Sequence, residues 1–224
     1  MLFRSVLIEE KILYEDSYKK VNNSRFYLFL KRFMDIFASI LGLILLSPIL
    51  IVVSVLIKLD SKGPVFFSQK RVGLHGKTFN MYKFRSMVVN AEEIKDKLKE
   101  QNEMSGPMFK MKNDPRITKI GKFIRKTSID ELPQLLNVLK GEMSLVGPRP
   151  SLPKEVKEFE PWMLERLEVK PGITCYWQVM GRNSIGFREW MELDVKYVHE
   201  RCLSLDLKLI FKTFFVLFGD ENAS

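Results

Sequence analysis

The residues best suited to chemistry stand side by side at Asp130 and Glu131, inside the stretch SIDELPQ that runs from 128 to 134. Seven cations precede them (Lys110, Lys112, Arg116, Lys119, Lys122, Arg125 and Lys126), opposed by one acid, Asp114. Two structural duties compete with chemistry here. Ser128 and Glu131 match a capping box, in which the glutamate reaches back to the serine amide. Alternatively Asp130 is itself the N-cap, with Pro133 in the first turn. The surroundings favour chemistry on phosphate. A helix N-terminus offers free amides and the positive end of a dipole, which suit phosphate as well as carboxylate. Arg125 lies just upstream. Downstream, GPRP at 147–150 fixes Arg149 between two prolines of locked φ, so that it loses little entropy in a bidentate phosphate contact. An aspartate can attack phosphorus to form an aspartyl-phosphate, dividing one hard step into two. Its neighbour Glu131 is placed to hold Mg²⁺, which would neutralise phosphate oxygens during transfer.

These residues must be positioned near a membrane. From Ile36 to Ile57 the chain reads IFASILGLILLSPILIVVSVLI, 22 residues without a charge. As a straight helix that run would reach across a hydrocarbon core of roughly 30 Å. It is too long and begins too late for a signal peptide. Basic residues flank both ends, with Lys31 and Arg32 before and Lys58 and Lys62 after. The positive-inside rule then places both ends on the cytoplasmic side. Pro48 removes one backbone donor near the middle, and the Ser47 hydroxyl can satisfy a carbonyl that the proline frees. Together these features favour a re-entrant helix, broken at Ser47-Pro48, over an ordinary kinked span.

Around this run the composition is that of one globular domain, with 224 residues, 46% of them hydrophobic, and a net charge of +9. Between Ser61 and Ala91 there are six Lys/Arg and no Asp/Glu, a surface suited to nucleic acid, anionic lipid or a phosphorylated substrate. Cys175 and Cys202 have neither disulfide nor metal spacing, which suits a reducing compartment. Two runs rich in aromatic and branched residues surround Gly73-Leu74-His75-Gly76 and predict a β-hairpin. AEEIKDKLKEQNEM is a charged, solvated helix with Glu93 and Lys97 at a supporting spacing. Leu132, Leu135, Leu136 and Leu139 predict one face of a helix that ends at Gly141. Helices follow around Pro153 to Glu168 and through FREWMELDVKYV, so the class is α+β and mainly helical. In LSLDLKLIFKTFFVLFG, Lys208 and Lys212 can snorkel while Phe211, Phe214, Phe215 and Phe218 enter a headgroup boundary; a buried core helix is the alternative.

Taken in order, the blocks KRFMDIFASILGLILLSPIL, GPVFFSQKRVG, YKFRSM, IRKTSIDELPQLLNVLKGEMSLVGPRP, KPGITCYWQVMGR and LDVKYV resemble the bacterial sugar transferases, the monotopic phosphoglycosyl transferases that begin glycan assembly on polyprenyl phosphate. The short form of that family is the one resembled. Cys175 stands where members often carry a second glycine in PGITG. The resemblance implies a re-entrant break at Ser47-Pro48, Asp130 as nucleophile and Glu131 as the Mg²⁺ partner. It assigns Lys83, Arg125, Arg149 and Arg182 to active-site phosphates or nucleotide, with Asp206 and Asp194 as further family acids at the substrate site. It implies a UDP-sugar donor (carrying a hexose-1-phosphate, since the charged insert around residues 90–116 resembles that of members that transfer one), undecaprenyl phosphate as acceptor, UMP as product, and surface-glycan or exopolysaccharide synthesis. Partners would include anionic lipids and a homodimer, without nucleic acid, at the cytosolic face of the bacterial cytoplasmic (inner) membrane. The corresponding organisation is an N-terminal extension (1–30), the membrane helix with its flanks (31–62), a catalytic domain carrying the hairpin (63–202) and an interfacial helix and tail (203–224). Two readings compete: a membrane-tethered polyanion-binding module, which gives no reason for DELP or GPRP and lacks a nucleic-acid-binding signature, and a membrane scaffold for glycan assembly in which the carboxylates only cap a helix.

Overall fold

The computed structural model describes residues 21–98, 111, 114–180 and 185–219. The apolar run lies within one helix, α1 (Arg25–Asp60), which continues through Pro48 without the break expected at Ser47-Pro48. The Ser47 hydroxyl donates to the Ile44 carbonyl at 2.8 Å, the acceptor four residues before Pro48 that the missing proline N–H leaves vacant. Among the described residues α1 alone is long and apolar enough to cross a membrane; its most apolar window has a mean hydropathy of 3.0 and is only 11% buried.

Both limbs of α1 are fastened to the same folded body. In the N-terminal limb Arg32 donates to the Val138 and Leu139 carbonyls at 2.6 and 2.7 Å, closing the C-terminal end of α4 (Gln134–Lys140). The Asp35 carboxylate accepts from the Ser144 hydroxyl and the Leu145 amide. In the C-terminal limb the roles reverse. Arg85 donates to the carbonyls of Ile57, Ser61 and Lys62, capping α1 itself. Cations at helix C-termini meet carbonyls that have no intrahelical donor and complement the dipole. Val53 and Ile57 of this limb pack with Phe84 and Ile124. Between the two anchors Ile40, Leu41, Ile44, Leu45, Ile49, Ile51 and Val52 stand exposed.

The hairpin forms as predicted. Strands β1 (Phe66–Val72) and β2 (Thr78–Phe84) pair antiparallel, from Phe66 opposite Phe84 to Val72 opposite Thr78. Their connection turns through Leu74–Gly76, where His75 and Gly76 both have positive φ. After the short charged helix α2 (Ala91–Lys97) come α3 (Lys119–Lys126) and α4, joined by a 3₁₀ turn at Ile129–Glu131. Gly141, at φ 82°, ends α4 as expected. The leucine face of α4 differs from the pattern. Leu136 points outward, and fully buried Asn137 turns in, because α4 must meet α1 on one side and the hairpin on the other. Asn137 bonds the Tyr82 amide and the Asn80 carbonyl, pinning β2 to α4.

A second sheet was not anticipated. Strands β3 (Ser144–Val146) and β4 (Gly172–Thr174) pair in parallel. At their junction backbone meets backbone: a Cβ on Gly172 would lie 2.1 Å from the Gly147 amide nitrogen, so only glycine fits. Cys175 follows fully buried and without positive φ, so nothing in its backbone calls for a glycine there. The helix expected over 153–168 is two pieces, α5 (Pro153–Val156) and a 3₁₀ helix (Pro161–Glu168), because Pro161 cannot extend a preceding helix. Then follow α6 (Tyr176–Met180), α7 (Phe187–Glu200) and α8 (Leu203–Gly219). Helix α8 is buried along one side and open along the other. Asp206 and Leu209 are buried in the body, while Phe211, Phe214 and Phe215 are 63%, 56% and 77% exposed beside exposed Lys208 and Lys212.

Candidate active site

Helix α3 is capped by Thr118, whose hydroxyl accepts from the Gly121 amide, and it ends at Lys126. Ser128 then adopts the left-handed conformation at φ 55°, uncommon for a residue with a side chain. This reversal throws the chain into the Ile129–Glu131 turn, which Ile129 anchors against the Val53, Ile57 and Ile124 cluster. Neither capping reading describes the result. Ser128 makes no side-chain cap, and Pro133, not Asp130, precedes α4. The carboxylates face the hairpin instead.

Glu131 Oε1 accepts from Lys83 Nζ of β2 at 2.6 Å and from Arg149 Nη1 at 3.1 Å. Arg149 stacks over the Trp177 ring of α6, its guanidinium carbon 5.7 Å from the centroid. Asp130 is 8% exposed, and among the described residues its carboxylate accepts no hydrogen bond. The two neighbours titrate in opposite directions. Burial would push Glu131 up, but Lys83 and Arg149 outweigh it and hold the carboxyl well below the usual carboxylate range. Burial raises Asp130; Lys83, Arg125 and Arg149 offset only part of that rise, and Glu131 adds to it. Burial also lowers the Lys83 ammonium, against the pull of Glu131. A pair of carboxyls pushed apart in this way can divide two duties between them.

Of the residues singled out in the sequence, Lys83 and Arg149 meet at Glu131, and exposed Arg125, at the end of α3, contributes to the field on Asp130. Arg182 lies outside the described residues. Asp194 and Asp206 sit elsewhere, in buried networks. Asp206 accepts from the Lys31 ammonium and the Tyr27 and Tyr197 hydroxyls, joining α1, α7 and α8. Asp194 pairs with Arg166. Sequence reasoning passed over Lys31, Arg71, Arg166 and Trp177 as parts of this apparatus. Their spacing carries no signal, because each meets its partner across the fold.

The bacterial sugar transferase family profile matches residues 26–220, and the chain belongs to that family. It is 49% identical over 211 residues to the galactosyl transferase CpsE of Streptococcus agalactiae serotype III, covering 92% of this chain and 47% of that protein. It is 45% identical over 199 residues to the undecaprenyl-phosphate galactose phosphotransferase of Salmonella typhimurium, covering 87% of this chain and 42% of that protein. It is also 37% identical over 187 residues to the exopolysaccharide production protein ExoY of Rhizobium meliloti, covering 82% of this chain and 83% of that protein. The chain spans about half the length of the first two.

Proposed function

We propose that the chain is a phosphoglycosyl transferase that moves a sugar-1-phosphate, a hexose-1-phosphate by its relatives' names, from a UDP-sugar to undecaprenyl phosphate. A carboxylate oxygen of Asp130 attacks the phosphorus that bears the sugar. The bond from that phosphorus to the uridine-side phosphate oxygen breaks, and UMP leaves. The phosphate of the lipid then attacks the same phosphorus, releasing the carboxylate and giving undecaprenyl-diphospho-sugar. A nucleophile whose basicity is raised by burial is the stronger for it once ionised. The observation that carries this reading is a buried Asp130 that accepts no hydrogen bond among the described residues, beside a glutamate already bound to two cations. Lys83 and Arg149 are then on hand to receive phosphate oxygens.

Asp130 and the second oxygen of Glu131 are hard donors without hydrogen bonds, and no third His, Cys, Asp or Glu joins them among the described residues. That donor set fits Mg²⁺, which is commonly held by one or two carboxylates together with substrate phosphates. Bound there, the ion would neutralise charge developing on the transferred phosphate.

The membrane arrangement follows the same reading. Lys31, Arg32 and Asp35 tie one limb of α1 to the body and Arg85 ties the other, with the exposed apolar middle between them. This supports a helix that enters one leaflet and returns, keeping the dyad at the cytosolic face of the inner membrane, where exposed lysines meet anionic lipid. The test is UMP release from a panel of UDP-sugars with Mg²⁺. Without acceptor, one equivalent per protein is expected, and steady turnover only when undecaprenyl phosphate is added. Failure of every UDP-sugar to release UMP would defeat the proposal.

A further inference from the structure

Arg149 reaches Glu131 from a segment that supplies little support of its own, since Pro148 and Pro150 have no amide hydrogen to donate. Its backbone is held from beneath by two other arginines. Arg166, in the Pro161–Glu168 helix, donates through Nη2 to the Arg149 carbonyl at 2.6 Å and to Asp194 Oδ2 at 2.5 Å, and through Nη1 to the Ser151 hydroxyl. Arg71 of β1 donates through Nη1 to the Pro150 carbonyl at 3.0 Å. The Val72 amide takes the Ser151 carbonyl, and the Gly172 amide takes that of Pro148. Four consecutive carbonyls, 148 to 151, are therefore held by three different elements. Arg166 and Asp194 are almost wholly enclosed, with side chains 2% and 0% exposed. The guanidinium of Arg166 also lies 5.5 Å from the Phe159 ring centroid and 5.9 Å from that of Trp190. None of Arg71, Arg166 and Asp194 donates to or accepts from Glu131.

We infer that Arg166, fixed by Asp194 and aided by Arg71, is a positioning residue that sets where the Arg149 guanidinium meets the donor diphosphate. An interior ion pair is a weak source of stability beside a hydrophobic pair of the same size. Its use here is geometric: both protons of one guanidinium nitrogen are committed, one to the anion and one to the loop. Misplacing a substrate-holding group by about 1 Å can cost about 100-fold in rate. The inference rests on the proposed transfer reaction for its kinetic arm only.

The experiment is a double-mutant cycle on the detergent-solubilised full chain, read as UMP release. Asp194→Asn and Arg166→Met are each expected to lower kcat/KM for the UDP-sugar about 10- to 100-fold, mainly through KM. Combined with Arg149→Ala, each should add less than about 3-fold to the loss from Arg149→Ala alone, because the group being positioned is already gone. Combined with Arg125→Ala, the losses should multiply. Losses that multiply with Arg149→Ala, or unchanged kinetics in the single variants, overturn the inference. If the buried variants do not fold, Ser151→Ala removes only one acceptor of Arg166 and runs the same cycle with the same criteria. Hydrogen exchange over residues 147–156 without substrate reads the clamp independently of activity. Faster exchange in Ser151→Ala or Asp194→Asn supports it, and unchanged exchange sinks it. Should wild type release no UMP at all, the transfer reading fails while the exchange measurement still decides the positioning.

Discussion

Two acidic regions of this molecule both set buried carboxylates against cations, and they differ in what is left open to solvent. At the hairpin, Glu131 shares a single oxygen between Lys83 and Arg149, Asp130 accepts no hydrogen bond among the described residues, and the Arg149 side chain stays 30% exposed. Deeper in the body, Asp206 and Asp194 are fully enclosed, each against a cation that is itself buried, with the Lys31 and Arg166 side chains 8% and 2% exposed. The first arrangement leaves charge available to an incoming phosphate. The second uses its charge to hold helices and loops in place. A carboxylate among cations is therefore open to an incoming phosphate only where its cation still reaches solvent, as Arg149 does.

Substitutions at the two regions should separate cleanly. Asp130→Asn is expected to cost on the order of 10⁴ or more in transfer, as loss of a catalytic nucleophile does, with the melting temperature unchanged or raised. Appreciable turnover by this variant would move the nucleophile elsewhere. Lys31→Met should do the reverse. It leaves buried Asp206 without its cation, a loss of about 3–5 kcal/mol, visible as a much lower thermal midpoint in detergent. A midpoint near wild type would show that the Tyr27 and Tyr197 hydroxyls alone suffice for Asp206.

The pH dependence sharpens the contrast. Transfer requires ionised Asp130, and burial raises its carboxyl, so activity should fall on acidification at a pH above the ordinary aspartate range of about 3.9. Lys83 draws that carboxyl down, so Lys83→Met should move the acid limb of kcat/KM to higher pH still. An acid limb that moves to lower pH in Lys83→Met would contradict the assignment. The smallest effect belongs to Ser47→Ala, which leaves the Ile44 carbonyl without the hydroxyl it now meets. A loss of about 0.5–1.5 kcal/mol is expected, measurable as a modest drop in thermal midpoint with kcat/KM intact.

Much of this was legible from residue types alone. The hairpin followed from branched and aromatic runs around Gly73 and Gly76, α7 from its helical pattern, and the end of α4 from Gly141. The dyad drew notice because adjacent acids followed a basic run, and Arg149 because prolines enclose it. Other features left no local trace. Strands β3 and β4 are three residues each, too short for periodicity, and pair across a long stretch of chain. Ser128 gives no sign of its left-handed backbone. Above all, a lysine or arginine does not announce its partner. Arg32 and Arg85 close helix ends, Arg116 is paired with Asp114, and Arg166 holds a loop, so the basic surface open to phosphate or lipid is smaller than the net charge suggests.

The most direct measurement is the intact mass of the full chain after incubation with UDP-sugar and Mg²⁺ in the absence of lipid acceptor, followed by peptide mapping. The account predicts an adduct of sugar-phosphate mass on the peptide carrying Asp130, discharged when undecaprenyl phosphate is added. Product formation at normal rates with no such adduct at any time point, or an adduct on another residue, would contradict it.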